Sequence, residues 1–223
     1  EDTVDFSLQE AREKLTADQV LEILKAGNKR FVEGHPLDRS LLKPLATNGQ
    51  DQTAITAIVS GIDSRTPVEM IFDLGMGETF VIRVAGAVVG PLAIGGVEHA
   101  VSVGGAKLVV LMKHTDSSLL SLAMGIAGSS SNESVLGECV NLQDVLEQIA
   151  VSIDSQQALD FPNMTAEEQQ ATMDQVARRH NARMAQQMVE ESPLLSRLVT
   201  SGQIRVVTAI FDASNGSVAF LNE

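Results

Sequence analysis

Residues 53–60 read TAITAIVS and residues 61–65 read GIDSR, so an apolar, β-branched run ends abruptly in a glycine and charged side chains. A short continuous apolar run of this kind predicts a strand that is buried on both faces of a sheet. Two further runs have the same character, at residues 78–84 (ETFVIRV) and 107–112 (KLVVLM). Together the runs predict a parallel sheet, because parallel strands are covered by helices on both sides.

Helical patterns lie between and after the predicted strands. A capping box at Thr16 opens a helix that we expect to end near Phe31. The later pattern predicts helices at 67–73, 91–103, 117–126, 140–152 and 166–190, then a strand, an Asn-Gly turn and a hairpin partner at 203–211, 215–216 and 217–221. Alternation of buried strands with helices is typical of right-handed βαβ crossovers. We therefore predict an α/β fold, with a central, mostly parallel β-sheet flanked by helices and a C-terminal antiparallel hairpin strand.

The composition excludes several classes of partner. The 223 residues include 29 Asp and Glu against 16 Lys and Arg, which gives a formal net charge of −13. Binding to nucleic acid or to an anionic membrane surface needs a basic patch, so we expect neither partner. No apolar run reaches the roughly 20 residues that cross a bilayer, so we also expect no transmembrane segment and a soluble protein.

A single cysteine, Cys139, limits the covalent and metal chemistry of the chain. It cannot form an intrachain disulfide, and it cannot supply a cysteine-rich metal site. We predict that Cys139 is a small buried hydrophobic residue in the helical region that follows a flexible loop at residues 128–132. A domain boundary would be placed most easily in that loop, but neither side of it forms a complete domain.

The printed sequence begins at Glu1 rather than at a methionine, so we expect a processed or trimmed chain. A targeting segment at the N-terminus would then be lost from view. The compartment is therefore left open between the cytoplasm and an organelle stroma.

Two of the predicted strand ends carry side chains that could perform chemistry. In an open parallel sheet, ligands bind in the crevice beyond the carboxyl ends of the strands. The first strand ends into Asp63 and Arg65, and the third ends into His114, Asp116 and Ser117. An Asp two residues before an Arg can hold the guanidinium at two points while the carboxylate stays ionised. An ordinary loop ion pair explains the same two residues, and that alternative stays open.

Over nearly its whole length the chain resembles the β-class carbonic anhydrases. The similar stretches are Gly27-Asn28-Lys29-Arg30-Phe31, Asp63-Ser64-Arg65-Thr66-Pro67 with Glu69, Phe72-Asp73-Leu74-Gly75-Met76-Gly77, Val81-Ile82-Arg83-Val84-Ala85-Gly86, Val97-Glu98-His99-Ala100-Val101, His114-Thr115-Asp116 and Asn181. The resemblance implies a parallel sheet with an added antiparallel strand, and N-terminal helices that embrace a second subunit. We therefore expect a single domain over residues 1–223, with residues 1–50 as a helical dimerisation arm, in a homodimer or a higher homo-oligomer.

The resemblance also implies where a metal would bind. Family members hold a catalytic Zn²⁺ through a Cys-x-Asp-x-Arg motif and through the His and Cys of a His-x-x-Cys motif. Gly61 and Ser117 stand at the two cysteine positions, and only His114 matches the ligand set of the family. A catalytic zinc site ordinarily needs three protein ligands, so we expect no zinc cofactor and no zinc-dependent activity. Asp63, Asp116 and His114 are a possible alternative set of metal ligands, but a metal ion bound to Asp63 would break the pairing of Asp63 with Arg65.

Residues matched to the family define a candidate site without a metal. Asp63 and Arg65 form the candidate catalytic dyad, together with His114. Arg65, Ser117 and Gly61 form the candidate anion-binding pocket, since the helix that begins near Ser117 and the loop amides favour negative charge. Glycine at position 61 leaves the space that a thiolate and a metal would fill.

Three functions remain open at this point. In the first, the chain is a catalytically degenerate homologue that binds CO₂, bicarbonate or another small anion. In the second, it is an active lyase for reversible CO₂ hydration by a metal-free or unusual-metal mechanism, in which Asp63 or His114 activates water as a general base. In the third, it is a structural partner that forms hetero-oligomers with an active, cysteine-bearing homologue. We adopt the first as the prediction.

Overall fold

A five-stranded sheet forms the centre of the protein in a computed structural model that describes residues 14–38, 54–128 and 138–221. The strands are β1 (Thr56–Ser60), β2 (Thr79–Arg83), β3 (Leu108–His114), β4 (Arg205–Phe211) and β5 (Val218–Phe220). They lie in the order β2-β1-β3-β4-β5. The pairs β2–β1, β1–β3 and β3–β4 are parallel, and β4–β5 is antiparallel. The predicted α/β class with its closing hairpin strand is confirmed.

Eight α-helices flank the sheet in the part of the chain that the structure describes. They are α1 (Ala17–Glu33), α2 (Val68–Ile71), α3 (Pro91–Ser102), α4 (Ser118–Ala127), α5 (Val140–Ala150), α6 (Ser155–Asp160), α7 (Ala166–Glu191) and α8 (Pro193–Thr200). The periodicity did not predict α6 and α8, because both are too short to show a repeating apolar stripe. Their sequence signals are caps: Asp154 accepts from the Gln157 amide, and Ser192 accepts from the Leu195 amide.

The sheet separates two apolar layers. Alternate side chains of β3 show the division, since Val109 and Leu111 belong to one buried cluster while Leu108, Val110 and Met112 belong to the other. Helices α3, α4, α5, α7 and α8 cover the first face, and α1 and α2 cover the second. Buried strands with both faces covered explain why the strands read as continuous apolar runs.

Helix α1 packs on the sheet of its own chain. Val20, Leu21 and Leu24 are buried in the second cluster, and Thr16 caps the helix with Gln19 in the predicted capping box. The apolar side of this helix is therefore covered without a second subunit. Residues 1–13 and 39–50 of the predicted dimerisation arm lie outside the described residues, as do residues 129–132 of the predicted flexible loop. The dimerisation role of the arm stays a prediction.

Strand β3 is longer than the sequence predicted. The prediction ended it at Met112, but the ladder with β4 continues through Lys113 to His114. Since successive strand residues point to opposite faces, Lys113 projects with Leu111 and His114 projects with Met112. Two residues that the sequence placed together in one loop are therefore on different sides of the sheet.

Within the described ranges, none of the helices combines the length and the hydropathy needed to cross a bilayer.

Candidate functional site

The loop after β1 holds Asp63 and Arg65 in a two-point ion pair. Arg65 donates from Nε to Asp63 Oδ1 at 3.1 Å and from Nη2 to Asp63 Oδ2 at 2.8 Å. The backbone amide of Arg65 also donates to Asp63 Oδ1, at 2.8 Å. These bonds turn the carboxylate and the guanidinium into one planar unit whose orientation is fixed by the loop itself.

Arg83, the last residue of β2, ties this loop to the edge of the sheet. Its Nε donates to the Gly61 carbonyl at 2.9 Å, and its Nη2 donates to the Asp63 carbonyl and to Thr66 Oγ1. Arg83 was not among the site residues predicted from the sequence. The signal was present, because Arg83 stands at the carboxyl end of a strand that neighbours β1 in the sheet, where ligand-binding side chains collect.

His114 closes the site from the end of β3. Its side chain is only 10% exposed, and its Nε2 lies 3.7 Å from Asp63 Oδ2. Its Nδ1 lies 2.6 Å from the carbonyl oxygen of Thr115. With Nδ1 donating to that carbonyl, Nε2 is the nitrogen that faces Asp63. The predicted convergence of the two strand ends is therefore present in the geometry.

Gly61 leaves open space beside His114. A Cβ atom at position 61 would have His114 Cδ2 and Nε2 as its nearest neighbours, each at 4.0 Å. That separation is an ordinary van der Waals contact, so a side chain at position 61 would point at the imidazole without a clash. The residue is itself buried, so the space lies inside the crevice rather than on the open surface.

Ser117 stands at the N-terminus of α4, where its side chain serves the helix. Its Oγ accepts from the Leu120 amide at 3.5 Å, which makes it the N-cap. Asp116, one residue earlier, is exposed and has a left-handed φ of 57°. Its carbonyl accepts from Arg65 Nη2 at 3.4 Å. The loops after β1 and β3 therefore touch through Arg65, and the α4 N-terminus begins at that contact.

The electrostatics of the site follow from the pair. The hydrogen bonds of Arg65 hold the pKa of Asp63 well below its usual range, against a smaller opposing effect of burial, and the charge of His114 acts in the same direction as Arg65. The same pair raises the pKa of Arg65 above its ordinary value. The carboxylate is therefore ionised across the physiological range, and an acid this strong is a weak general base.

The chemistry of the available donors decides what metal the site could hold. Glycine at 61 offers no side chain, and the hydroxyl of Ser117 is already an acceptor for a helix amide. Across the described residues, no three His, Cys, Asp or Glu side chains are grouped so that they could hold a metal ion. His114 with Asp63 is a pair of donors, which falls short of the three protein ligands of a catalytic zinc site.

Cys139 does not have the environment that the sequence predicted. It is exposed and stands as the residue just before α5, without a side-chain capping bond. The prediction of a small buried hydrophobic residue was wrong, because its helix begins only after it and its side chain lies outside the apolar layer.

Comparisons of sequence identify relatives of this chain. A family model described as carbonic anhydrase matches residues 56–218. Carbonic anhydrase 2 of Mycobacterium tuberculosis is 28% identical over 197 residues, which cover 86% of this chain and 87% of that protein. A carbonic anhydrase of Mycolicibacterium smegmatis is 43% identical over 93 residues, which cover 41% of this chain and 45% of that protein.

Comparisons of structure agree on the fold. One of two tetrameric β-carbonic anhydrases from the ascomycete Sordaria macrospora superimposes with a TM-score of 0.66 at 18% identity, over 89% of this chain and 91% of that one. The β-carbonic anhydrase CafA of Aspergillus fumigatus also gives a TM-score of 0.66, at 21% identity, over 92% of this chain and 90% of that one. At these identities the likeness concerns the fold.

Proposed function

Because the chain belongs to the carbonic anhydrase family and has the fold of β-class members, we propose that it binds a small oxyanion of the bicarbonate class. The binding site is the crevice formed by Gly61, Arg65 and Ser117 beside Asp63 and His114. We further propose that it has lost the zinc-dependent hydration of CO₂. The observation that carries both proposals is the set of groups around His114, which is rich in donors for an anion and poor in ligands for zinc.

The donor set supports the proposed loss of zinc. At the two positions where the family resemblance places thiolates, this chain has a residue without a side chain and a neutral hydroxyl. A neutral hydroxyl is a poor substitute for a thiolate as a zinc ligand. His114 alone then remains of the three ligands, so the residues present do not fit the metal.

The geometry around Arg65 supports an anion in the same crevice. The hydrogen bonds of Arg65 to Asp63 and Asp116 use Nε and Nη2, so Nη1 is left to donate to a ligand. The N-terminus of the ten-residue helix α4 begins at Ser117, and its free amides and dipole favour negative charge. Gly61 supplies the space that such a ligand would occupy.

A metal-free hydratase is the second candidate, and the position of His114 favours it. Its Nε2 faces the space beside Gly61, where water and CO₂ could meet. In that mechanism His114 Nε2 would take the proton as water attacks CO₂. Asp63 is a weaker candidate for the same task, since the hydrogen bonds from Arg65 lower its pKa and make it a poor base.

Calorimetric titration with bicarbonate tests the anion proposal. The wild-type protein should release or absorb heat on binding, and Arg65→Gln should weaken the affinity about tenfold or more, because it removes a charged hydrogen-bond donor. Arg197→Gln is the matched control, since Arg197 is exposed on α8 and should leave the affinity unchanged. An absence of heat with bicarbonate, phosphate and sulfate alike would remove the proposal.

Stopped-flow measurement of CO₂ hydration, combined with metal analysis, separates the two candidates. We expect no hydration above the buffer rate, whether or not Zn²⁺ is added, and no stoichiometric zinc in the purified protein. Activity that resists chelators and disappears in His114→Gln would support the metal-free hydratase instead. Activity that requires added zinc would contradict the proposed loss of zinc chemistry.

A further inference from the structure

A groove of about 660 Å³ lies at the outer edge of the sheet, on the face that α7 covers. Its apolar walls come from α7 and from the strands at that edge, and they consist of Ala182, Ala185, Val189, Val206 and Leu221. None of the crevice residues lines it. A cavity of this volume is as large as the pockets that accept drug-sized ligands. We refer to it as the edge groove.

The edge groove is open because the elements around it are short or carry small side chains. Strand β5 has only three residues, and its Val218 and Phe220 pack against the other apolar cluster. Ala182, on α7, is small and exposed. The half-buried Val206 and Leu221 therefore present apolar surface that the described residues leave uncovered. Apolar surface of this kind, with polar residues at its rim, is typical of a docking site.

The N-terminal segment of the same chain starts beside this groove. Asp18, in the first turn of α1, accepts a hydrogen bond from Arg205 Nη1 at 2.5 Å. Arg205 directly precedes Val206, which lines the groove. The structure describes the N-terminal part of the chain from Lys14 onward. The residues before Lys14 therefore leave the described part of the chain close to the edge groove.

Residues 4–8 have a sequence pattern that suits an apolar groove. They read Val-Asp-Phe-Ser-Leu, so apolar and polar side chains alternate. Period-two alternation is typical of an extended segment with one face against an apolar surface, and Val4, Phe6 and Leu8 share that face. Six residue steps separate Leu8 from Lys14, and six steps span up to about 20 Å. Packed layers lie roughly 10 Å apart, so the segment is long enough to pass round the sheet edge.

The two ends of the edge groove carry opposite charges. Arg178 and Glu190 both line it on α7. Asn181, close to Arg178, donates to the carbonyl of Ala209, which is late in β4. By contrast, α7 ends one residue after Glu190 and leads through α8 to the start of β4. Glu190 therefore lies at the end where the N-terminal segment starts, and Arg178 lies at the far end.

The charges of the segment complement those of the groove. Within the described ranges, no ion pair involves Arg178, which is exposed. Asp5 and Arg12 are seven residues apart, which is about 23 Å in an extended chain. Arg178 and Glu190 are twelve residues apart, which is about 18 Å along a helix, and the long arginine side chains can span the difference. A segment that enters beside Glu190 thus brings Arg12 toward Glu190 and Asp5 toward Arg178.

We propose that the edge groove is the docking site of residues 4–8 of the same chain. The segment lies in it in extended form, with Val4, Phe6 and Leu8 against the apolar walls. Phe6 buries the most apolar surface of the three and anchors the contact. The ion pair of Asp18 with Arg205 favours the same chain over a second copy, because it holds the segment beside the groove at a high effective concentration.

A tryptophan at position 6 tests the docking directly, since the chain has no native tryptophan. The emission of Phe6→Trp should be shifted to shorter wavelength and should resist quenching by acrylamide. Ala182→Arg fills the groove from an exposed position and should reverse both effects. Ala171→Arg is the matched control, because Ala171 is an exposed alanine of α7 that does not line the groove. Solvent-like emission of Phe6→Trp, or an equal response to the two arginine variants, would overturn the proposal.

Thermal unfolding measures the same contact without a bulky probe. Phe6→Ser should lower the melting temperature by about 2–4 °C, the shift expected when a chain of this size loses one modest contact. Ser7→Ala, on the polar side of the alternation, should leave the melting temperature unchanged. In the Ala182→Arg background Phe6→Ser should have no effect, because the groove is already closed to the segment. Equal shifts in the two backgrounds would overturn the proposal.

Cross-linking identifies which chain supplies the segment. Asp5→Cys and Arg178→Cys are combined with Cys139→Ser, because Cys139 is exposed and would react. A short bis-maleimide should link the two new cysteines in a species with the mass of one chain, as measured by mass spectrometry of the intact and the digested protein. A covalent dimer as the main product would assign the groove to a second copy and overturn the proposal, and so would the absence of any link. None of these measurements involves Arg65 or His114, so the outcome is independent of the proposed function.

Discussion

At the scale of single residues, position 61 decides the chemistry that the crevice can support. Glycine there leaves His114 Nε2 facing open space at a distance that suits a contact with a side chain. The main chain of the crevice could thus carry a metal-binding side chain at position 61, but glycine has no side chain to supply one. A change of residue type should therefore be enough to alter the metal chemistry without refolding the loop.

We predict that Gly61→Cys combined with Ser117→Cys creates a zinc site with His114. Two thiolates and an imidazole form the Cys₂His set known from catalytic zinc sites, and thiolates bind zinc far more tightly than hydroxyls do. Plasma emission spectroscopy of the purified variant should give about one zinc per chain.

The matched control for that experiment is Gly61→Ser with the native Ser117, which adds a side chain without a thiolate and should gain no zinc. Adding His114→Gln to the double cysteine variant should lower the zinc content again. A double cysteine variant that stays free of zinc would mean that the two positions are too far apart to share a metal.

We predict a positioning role for Arg83 at the same scale. Arg83→Lys keeps the charge but cannot donate at once to the Gly61 carbonyl, the Asp63 carbonyl and Thr66, so the loop that carries Arg65 should loosen. The affinity for bicarbonate should fall by about tenfold, since charged hydrogen bonds contribute roughly 1.5–3 kcal/mol each.

Calorimetry on Arg83→Lys and on the control Arg197→Lys measures that effect. Backbone amide resonances of the loop should shift in the first variant and not in the second. Unchanged bicarbonate affinity in Arg83→Lys would show that the loop keeps its geometry without the guanidinium.

At the scale of elements, the docking of α1 on the sheet depends on one glycine and one asparagine. Asn28 donates from Nδ2 to the carbonyls of Ile71 and Gly216, and its Oδ1 accepts from the Val218 amide. One side chain thus joins α1, α2 and the C-terminal hairpin. Gly27 lies against the backbone of Phe72, where a Cβ atom would meet the carbonyl oxygen at 1.9 Å. The helix can approach α2 this closely only with glycine at that position.

We predict that Gly27→Ala lowers the free energy of unfolding by about 1–3 kcal/mol, because the helix must move away from a backbone atom that cannot yield. Gly95→Ala is the matched control on α3, where a Cβ atom would have no neighbour within 4 Å. The control should raise the free energy of unfolding by about 0.5–1 kcal/mol, the usual difference between glycine and alanine inside a helix. Urea denaturation measures both values, and similar values for the two variants would contradict the close approach.

At the scale of the whole molecule, a net charge of −13 per chain opposes association between copies at low ionic strength. The Sordaria macrospora protein with the same fold is tetrameric. Closed symmetric assemblies are the commonest outcome for soluble proteins of one chain type. A homo-oligomer of this chain would therefore join subunits that repel one another at long range.

We predict a homodimer or a higher homo-oligomer that becomes more stable as salt is added. Screening shortens the range of repulsion to about 8 Å at physiological ionic strength, so the dissociation constant should fall between 20 and 150 mM salt, the latter being roughly the physiological value. Sedimentation velocity with light scattering measures the mass at both salt concentrations. A chain that stays monomeric at high protein concentration in both buffers would contradict this prediction.

Much of the fold was predictable because its signals are local. Continuous apolar runs predicted β1, β2 and β3 close to their places, and the capping box at Thr16 predicted the start of α1. The strand-end rule brought Asp63, Arg65 and His114 together correctly, since the carboxyl ends of parallel neighbours meet at one edge. The predicted end of β3 was two residues early, because a lysine after an apolar run is typical of the start of a loop. In the structure Lys113 is a buried residue of the strand.

The sequence by itself determined the α/β class, the order of the elements and the residue types at the crevice, because periodicity and turn chemistry act over a few neighbouring residues. Tertiary structure alone decided which face Lys113 takes, that Arg83 reaches the loop after β1, and that His180 is buried against Ser152. These contacts join residues about 20 to 30 positions apart in the sequence. They depend on strand register and helix docking, which are set only when the two apolar layers close on the sheet.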